Sequence, residues 1–302
     1  MLQRRRLHHP AGHFREWRLV LTHARDQSAT FPVCEFSIEG KADGPTLVFI
    51  HGWPDNASLW RKQVEALGVN FRCVLVTLPN FGAQPVKAGG CDFPELLGSL
   101  AATIRQVQPH GKVSLVTHDW GSYAGYMLEK AHPEWFEKMA ALDIGGHLAP
   151  VGARAVAMIM GYQWALIACW LIGGLVPPLG AWMTRGVGRV IKVPARQLGN
   201  IRSRYNYPYF YFWRNLLLPW RRANLLNRYR PRCPVLFLFG ERKPVMFHSP
   251  RWLEIVAGSG GRSEGIAGAG HWLMETHAGT VNEKLGAWFQ HDENLTFRKP
   301  GE

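Results

Sequence analysis

The segment from Val113 to Leu128 constrains this chain more than any other. Val113-Ser114-Leu115-Val116-Thr117 is a short, continuous apolar run that predicts a buried strand, and Gly121-Ser122-Tyr123-Ala124-Gly125-Tyr126-Met127-Leu128 predicts the start of a helix. Only His118-Asp119-Trp120 lies between them, so the chain must reverse in one sharp turn with a carboxylate at its apex. Such a turn needs small neighbours, here Thr117 and Gly121, because its central residue is held in a strained conformation and pushed into a cleft. A carboxylate presented in this way can attack a carbon atom and become an ester. That points to displacement at saturated carbon rather than acyl transfer. Ser122 does not compete for the role, since it lies three residues past the apex.

On either side of the turn, strand-like runs alternate with helical patterns, the signature of a mostly parallel sheet flanked by helices. Thr46-Leu47-Val48-Phe49-Ile50 predicts a buried strand ending at His51-Gly52-Trp53-Pro54-Asp55, followed by a helix over Ser58 to Leu67 and a strand over Cys73 to Thr77. An amphipathic helix is expected from near Phe93, and the strand Met139-Ala140-Ala141-Leu142 ends at Asp143. From about Gly145 to Pro231 the alternation stops, and it resumes with Val235-Leu236-Phe237-Leu238-Phe239-Gly240. A helix is expected near Pro250, then the loop Gly268-Ala269-Gly270-His271-Trp272 and a last helix from Gly279 to Phe289. The expected organisation is an α/β core over 1–144 and 232–302, interrupted by an inserted, mainly helical cap over 145–231. Trp17-Arg18-Leu19-Val20-Leu21 reads as a first strand. Active sites of open α/β sheets lie at the carboxyl ends of strands, where Asp119, Asp143 and His271 all fall.

The reaction needs more than the nucleophile. A base must activate water, an acid must orient that base, and donors must hold the oxyanion. His271, before the closing helix, is the base candidate. The backbone N–H groups of Trp53 and Trp120 are the oxyanion donors, and both indoles could also reach the cleft. For the orienting acid three outcomes stay open: Asp143, better placed because strand-end side chains point into the cleft, Glu241, in the turn Gly240-Glu241-Arg242-Lys243, or no acid at all. A lysine ammonium beside His271 would disfavour the imidazolium that base catalysis creates. No Cys/His cluster has metal-ligand spacing, and neither a metal nor a cofactor is expected.

With these residues in view, the chain resembles the α/β-hydrolase superfamily, in the branch shared by epoxide hydrolases and haloalkane dehalogenases. His51-Gly52-Trp53-Pro54-Asp55 looks like the oxyanion motif of that branch, His118-Asp119-Trp120-Gly121-Ser122 like its nucleophile motif, and Gly270-His271-Trp272 like its histidine motif. In this family the orienting acid commonly occupies the place of Lys243, although some relatives carry it after the strand that here ends at Asp143. The resemblance implies an alkyl-enzyme ester on Asp119, hydrolysed by water that His271 activates. It also implies cap tyrosines that protonate the leaving oxygen of an epoxide. Gly161-Tyr162-Gln163 looks like the first tyrosine motif; at the second, Trp213 stands before Arg214-Asn215, so a nearby tyrosine, Tyr209 or Tyr211 ahead of Tyr205 or Tyr207, must substitute. A halide would instead need Trp120 and another N–H donor. Dehalogenation is therefore the rival chemistry, and a non-catalytic, membrane-associated protein that keeps the pocket is the rival class.

Composition bears on partners. The formal net charge is +13, and between Asp143 and Glu241 the chain has twelve arginines and Lys192 but no acid, so this one segment accounts for the whole excess. No nucleic-acid recognition motif accompanies the charge. Ala155 to Thr184 carries no charge at all, and its apolar run ends at Pro177-Pro178. A single crossing of a bilayer would put the two halves of the core on opposite sides. Two readings stand: an apolar cap helix facing the pocket, or an apolar hairpin meeting an anionic membrane surface, suited to a lipophilic substrate. The five scattered cysteines read as free thiols in a reducing compartment. The basic start, Met1 to His9, has no apolar core behind it, so a cytoplasmic protein is expected, peripheral to a membrane on the second of these readings, with an organelle transit peptide as the alternative.

Overall fold

The computed structural model describes residues 31–148 and 152–290. Seven strands form one sheet in the order β1-β3-β2-β4-β5-β6-β7. They are β1 (Glu35–Gly40), β2 (Thr46–Ile50), β3 (Arg72–Thr77), β4 (Val113–His118), β5 (Phe136–Leu142), β6 (Val235–Gly240) and β7 (Arg262–Ile266). Only β1 runs antiparallel to its neighbour; the other pairings are parallel. The central strands β2 and β4 are buried along their full length, which is why they read as unbroken apolar runs.

The helices follow the predicted alternation. They are α1 (Arg61–Leu67), α2 (Phe93–Val107), α3 (Trp120–Ala131), α4 (Ala153–Leu175), α5 (Pro177–Val190), α6 (Ala195–Leu198), α7 (Tyr207–Leu217), α8 (Pro250–Gly258), α9 (Leu273–Thr276) and α10 (Ala278–Gln290). The helix expected from Ser58 is split, with a 3-10 turn over Ala57–Trp60 leading into α1. Helix α2 starts where Asp92 and Glu95 form a reciprocal capping box.

Two strands escaped the sequence reading. β1 and β7 are the edges of the sheet, and each mixes charged residues with exposed positions, so neither shows an apolar run. The strand expected at Trp17–Leu21 lies outside the described residues.

Between β5 and β6 every described element is helical. Helices α4 and α5 form a tight hairpin in which a Cβ on Gly180 would strike the Gly173 backbone, while one on Gly173 would strike the Ser203 side chain. Asn206 ties this hairpin to the core: its amide donates to the Leu166 carbonyl at 3.1 Å and to Thr184 Oγ1 at 3.0 Å, while its oxygen accepts from Trp53 Nε1 at 2.8 Å. Arg214 and Asn215, on α7, both bind the Asp92 carboxylate at the start of α2. These contacts set the hairpin and α7 over the carboxyl ends of the strands.

Candidate active site

Strand β4 delivers Asp119 at φ 53°, ψ −125°, a conformation that non-glycine residues rarely adopt. The crowding around the turn explains its small neighbours. A Cβ on Gly121 would strike the carbonyls of Ile50 and His51, and one on Gly52 would strike the Asp119 side chain. The turn after β2 is braced by His51, whose Nε2 accepts from Leu78 N–H at 3.0 Å. Burial pushes the His51 imidazole down to about 4, so it serves as a neutral brace.

The Asp119 oxygens face different partners. Oδ1 accepts the Trp53 backbone N–H at 2.6 Å, and the Trp120 backbone N–H also bonds the carboxylate. Oδ2 lies 3.7 Å from His271 Nε2. On the far side of the imidazole, His271 Nδ1 is 2.6 Å from Asp143 Oδ2. Asp143 is fully buried at φ 71° just beyond β5, and its other oxygen accepts the Gly240 N–H at 3.1 Å and an ion pair from Lys243. Of the two candidate acids, Asp143 is the one that meets the imidazole. Glu241 is turned against Gly265 of β7 and does not reach the imidazole.

Electrostatics follow from this packing. Burial raises the Asp119 carboxyl above its usual range, against the opposing pull of His271 and the two backbone N–H groups. Burial alone would also raise Asp143, but His271 and Lys243 together hold it below the ordinary carboxylate value. For His271, burial is outweighed by the hydrogen bond and charge of Asp143 and by the charge of Asp119, and its pKa stands above the usual imidazole value.

A cavity of about 1310 Å³ opens over Asp119. Its lining is mostly apolar, with Trp120, Tyr162, Tyr209 and His271 among the polar-tipped groups. Both tyrosine hydroxyls have their pKa raised by burial and by the Asp119 charge, which keeps them protonated. Tyr209 sits one helical turn before Trp213 on α7, so the two share a face. Trp213 itself is occupied, donating Nε1 to Gln163 Oε1 at 2.8 Å. Tyr211 points the other way and donates to the Gly89 carbonyl at 2.6 Å, outside the cavity. The expectation for Tyr211 is therefore corrected: two positions on from Tyr209, it falls on another face of the helix. Tyr205 stacks on Phe81 and Tyr207 packs edge-on against it.

The indoles also divide. Trp53 spends its N–H on Asn206 and does not offer it to the cleft, contrary to expectation. Trp120 Nε1 is buried and faces the cavity beside the Tyr209 hydroxyl. Asp55, which sequence reasoning did not single out, is buried and accepts from Trp272 Nε1 at 3.0 Å and from Gln197. Burial pushes its carboxyl up to about 7. Its signal in the sequence was the acid closing the His-Gly-Trp-Pro-Asp turn. Among the described residues no group of His, Cys, Asp or Glu is arranged to hold a metal.

Comparison with known proteins agrees with the strand order and the turn. Residues 47–284 match the alpha/beta hydrolase family, and the chain belongs to it. Within that family it is similar to epoxide hydrolases. It is 28% identical over 107 residues to epoxide hydrolase 1 of Caenorhabditis elegans, covering 35% of this chain and 26% of that one. It is 33% identical over 103 residues to the epoxide hydrolase srdG of Neurospora crassa, covering 33% and 30%. The match thus spans under a third of the length of either curated relative. The crystal structure of epoxide hydrolase VrEH1 from Vigna radiata superposes with a TM-score of 0.60 over 84% of this chain and 93% of the other, at 19% identity, and shares the fold.

Proposed function

We propose that the chain is an epoxide hydrolase-like enzyme acting on a lipophilic epoxide, with the α4–α7 segment as its cap. The observation that carries this reading is the division of the Asp119 carboxylate, one oxygen held by the Trp53 N–H and the other facing His271 Nε2. Oδ2 is then the free nucleophile. It bonds to an epoxide carbon as the carbon–oxygen bond of the ring breaks, and the departing oxygen takes a proton from Tyr162 or Tyr209. Water next gives a proton to His271 Nε2 and attacks Cγ of the ester, with Asp143 supporting the imidazolium. The oxyanion forms on Oδ1, between the Trp53 and Trp120 N–H groups; losing one such donor costs about 3 kcal/mol of transition-state stabilisation. Collapse expels the diol, which takes the proton from His271 and leaves Asp119 as the neutral acid; Asp119 then ionises and the tyrosinate regains a proton, the two exchanging through solvent.

The test is a mass measurement. With His271→Gln, an accepted epoxide should leave an adduct of its own mass on the peptide containing Asp119, and Asp119→Ala should abolish both adduct and turnover. An enzyme that turns over epoxides while His271→Gln never carries an adduct would defeat the scheme.

One observation favours a second reading. The buried Trp120 indole N–H, which lines the cavity with Asp119, is a suitable donor for a departing halide. Alkyl halides belong in the same assay, where halide release separates dehalogenation from diol formation. A protein that binds such molecules without turning them over would give neither product.

A further inference from the structure

The outer face of the α4–α5 hairpin is apolar and uncovered. Trp164, Leu171 and Leu175 follow one another along α4 at helical spacing, and Val176, Leu179 and Trp182 continue the surface into α5. Leu175 is 86% exposed and Trp182 67%. The opposite side of α4 is committed to the fold, with Leu166, Ile167, Cys169 and Gly173 buried. The hairpin is therefore a surface element held to the rest of the fold by these buried residues, by the Asn206 anchor and by the Gln163–Trp213 bond.

Charge selects what covers this face. Arg189 lies two turns beyond Trp182 on α5 and is exposed, as is Lys192 just after the helix; Arg154 is exposed at the start of α4. None of the three meets an acid among the described residues, and no acid occurs from residue 144 to 240. A second copy of the chain would bring like charges together with nothing to neutralise them. An anionic bilayer supplies both requirements, an apolar interior for the leucines and tryptophan and phosphates for the cations.

The cavity mouth reaches this face through Trp182, which belongs to the apolar surface and also lines the cavity. Met158 and Val190 are further exposed lining residues, with Arg189 and Lys192 beside them. We propose that the α4–α5 hairpin docks flat on an anionic membrane and opens the cavity over Asp119 towards the lipid. What enters the cavity rests on the hydrolase reading; the docking does not.

The experiment is co-sedimentation of the full chain with vesicles of phosphatidylcholine alone or mixed with phosphatidylglycerol. The mixed vesicles should bind it and the neutral ones should not, with added salt weakening the binding. A Leu175→Ser, Leu179→Ser double variant, with unchanged far-UV circular dichroism, should lose about tenfold or more in partitioning. Arg154→Glu should weaken binding to the mixed vesicles alone. Asp119→Asn should bind as the wild type does, so failed chemistry and failed docking are told apart. Equal binding to both vesicles, undiminished binding of the double variant, or a dimer that buries this face and ignores vesicles would each overturn the proposal.

Discussion

Lys243 and Asp143 form a buried ion pair directly behind the histidine of the site, with the lysine side chain 5% and the aspartate 0% exposed. The lysine stands where relatives commonly carry the orienting acid. Here the carboxylate that meets the imidazole is Asp143, at the end of β5, and the ammonium neutralises one of its oxygens while His271 takes the other. The lysine thus occupies the vacated place as a counter-charge, and it opposes protonation of His271.

A Lys243→Met variant separates these effects. His271 acts as a base only when neutral, and its pKa stands above the usual imidazole value, so ester hydrolysis should rise with pH through that raised value. Removing the cation lets the pKa rise further, moving this limb to higher pH and making ester accumulate near neutrality. Single-turnover rates across pH would show the displacement. A lower melting temperature with an unmoved limb would mean that the lysine is structural only.

The same pair affects stability. The Asp143 pKa is depressed in the folded chain, so its contribution is present above the unfolded carboxylate value and is lost as pH falls through the folded value. Breaking a buried pair costs about 3 kcal/mol. Lys243→Met should unfold at lower denaturant concentration at neutral pH, and the gap from the wild type should narrow in acid, as denaturant titrations at both pH values would show.

Asp143→Asn should leave the first step largely intact and slow hydrolysis by about four orders of magnitude, the scale seen when the acid of a serine-hydrolase triad becomes an amide. Burst kinetics would read this as one fast turnover followed by a stall.

The tyrosines give a paired comparison. Tyr209→Phe or Tyr162→Phe should slow ester formation by about a hundredfold or more, the usual worth of a positioned acid. Tyr211→Phe should leave that step unchanged and cost about 1 kcal/mol of stability through its lost bond to Gly89. Rapid-quench measurement of adduct formation in the three variants checks the assignment.

The fate of oxygen is also specified. In a single turnover in isotopically labelled water, the label should enter Asp119 while the product takes an unlabelled carboxylate oxygen, because water attacks Cγ. Label found only in the first-turnover product would mean direct attack of water on the substrate.

The sequence alone determined what is local: a strand, an apex carboxylate and a helix between Val113 and Leu128, the His51–Asp55 turn, and His271 ahead of the closing helices. Short-range sterics and apolar periodicity are sufficient for these, because each depends on residues a few positions apart. Only the tertiary structure decided between Asp143 and Glu241, since the choice turns on which side chain reaches across β6 to a residue 128 positions away. Likewise, the phase of α7 turned Tyr209 rather than Tyr211 into the cavity. Hydropathy described α4 without saying which side of it faces water; packing against α5 and α7 settled that, because burial is a property of neighbours and not of composition.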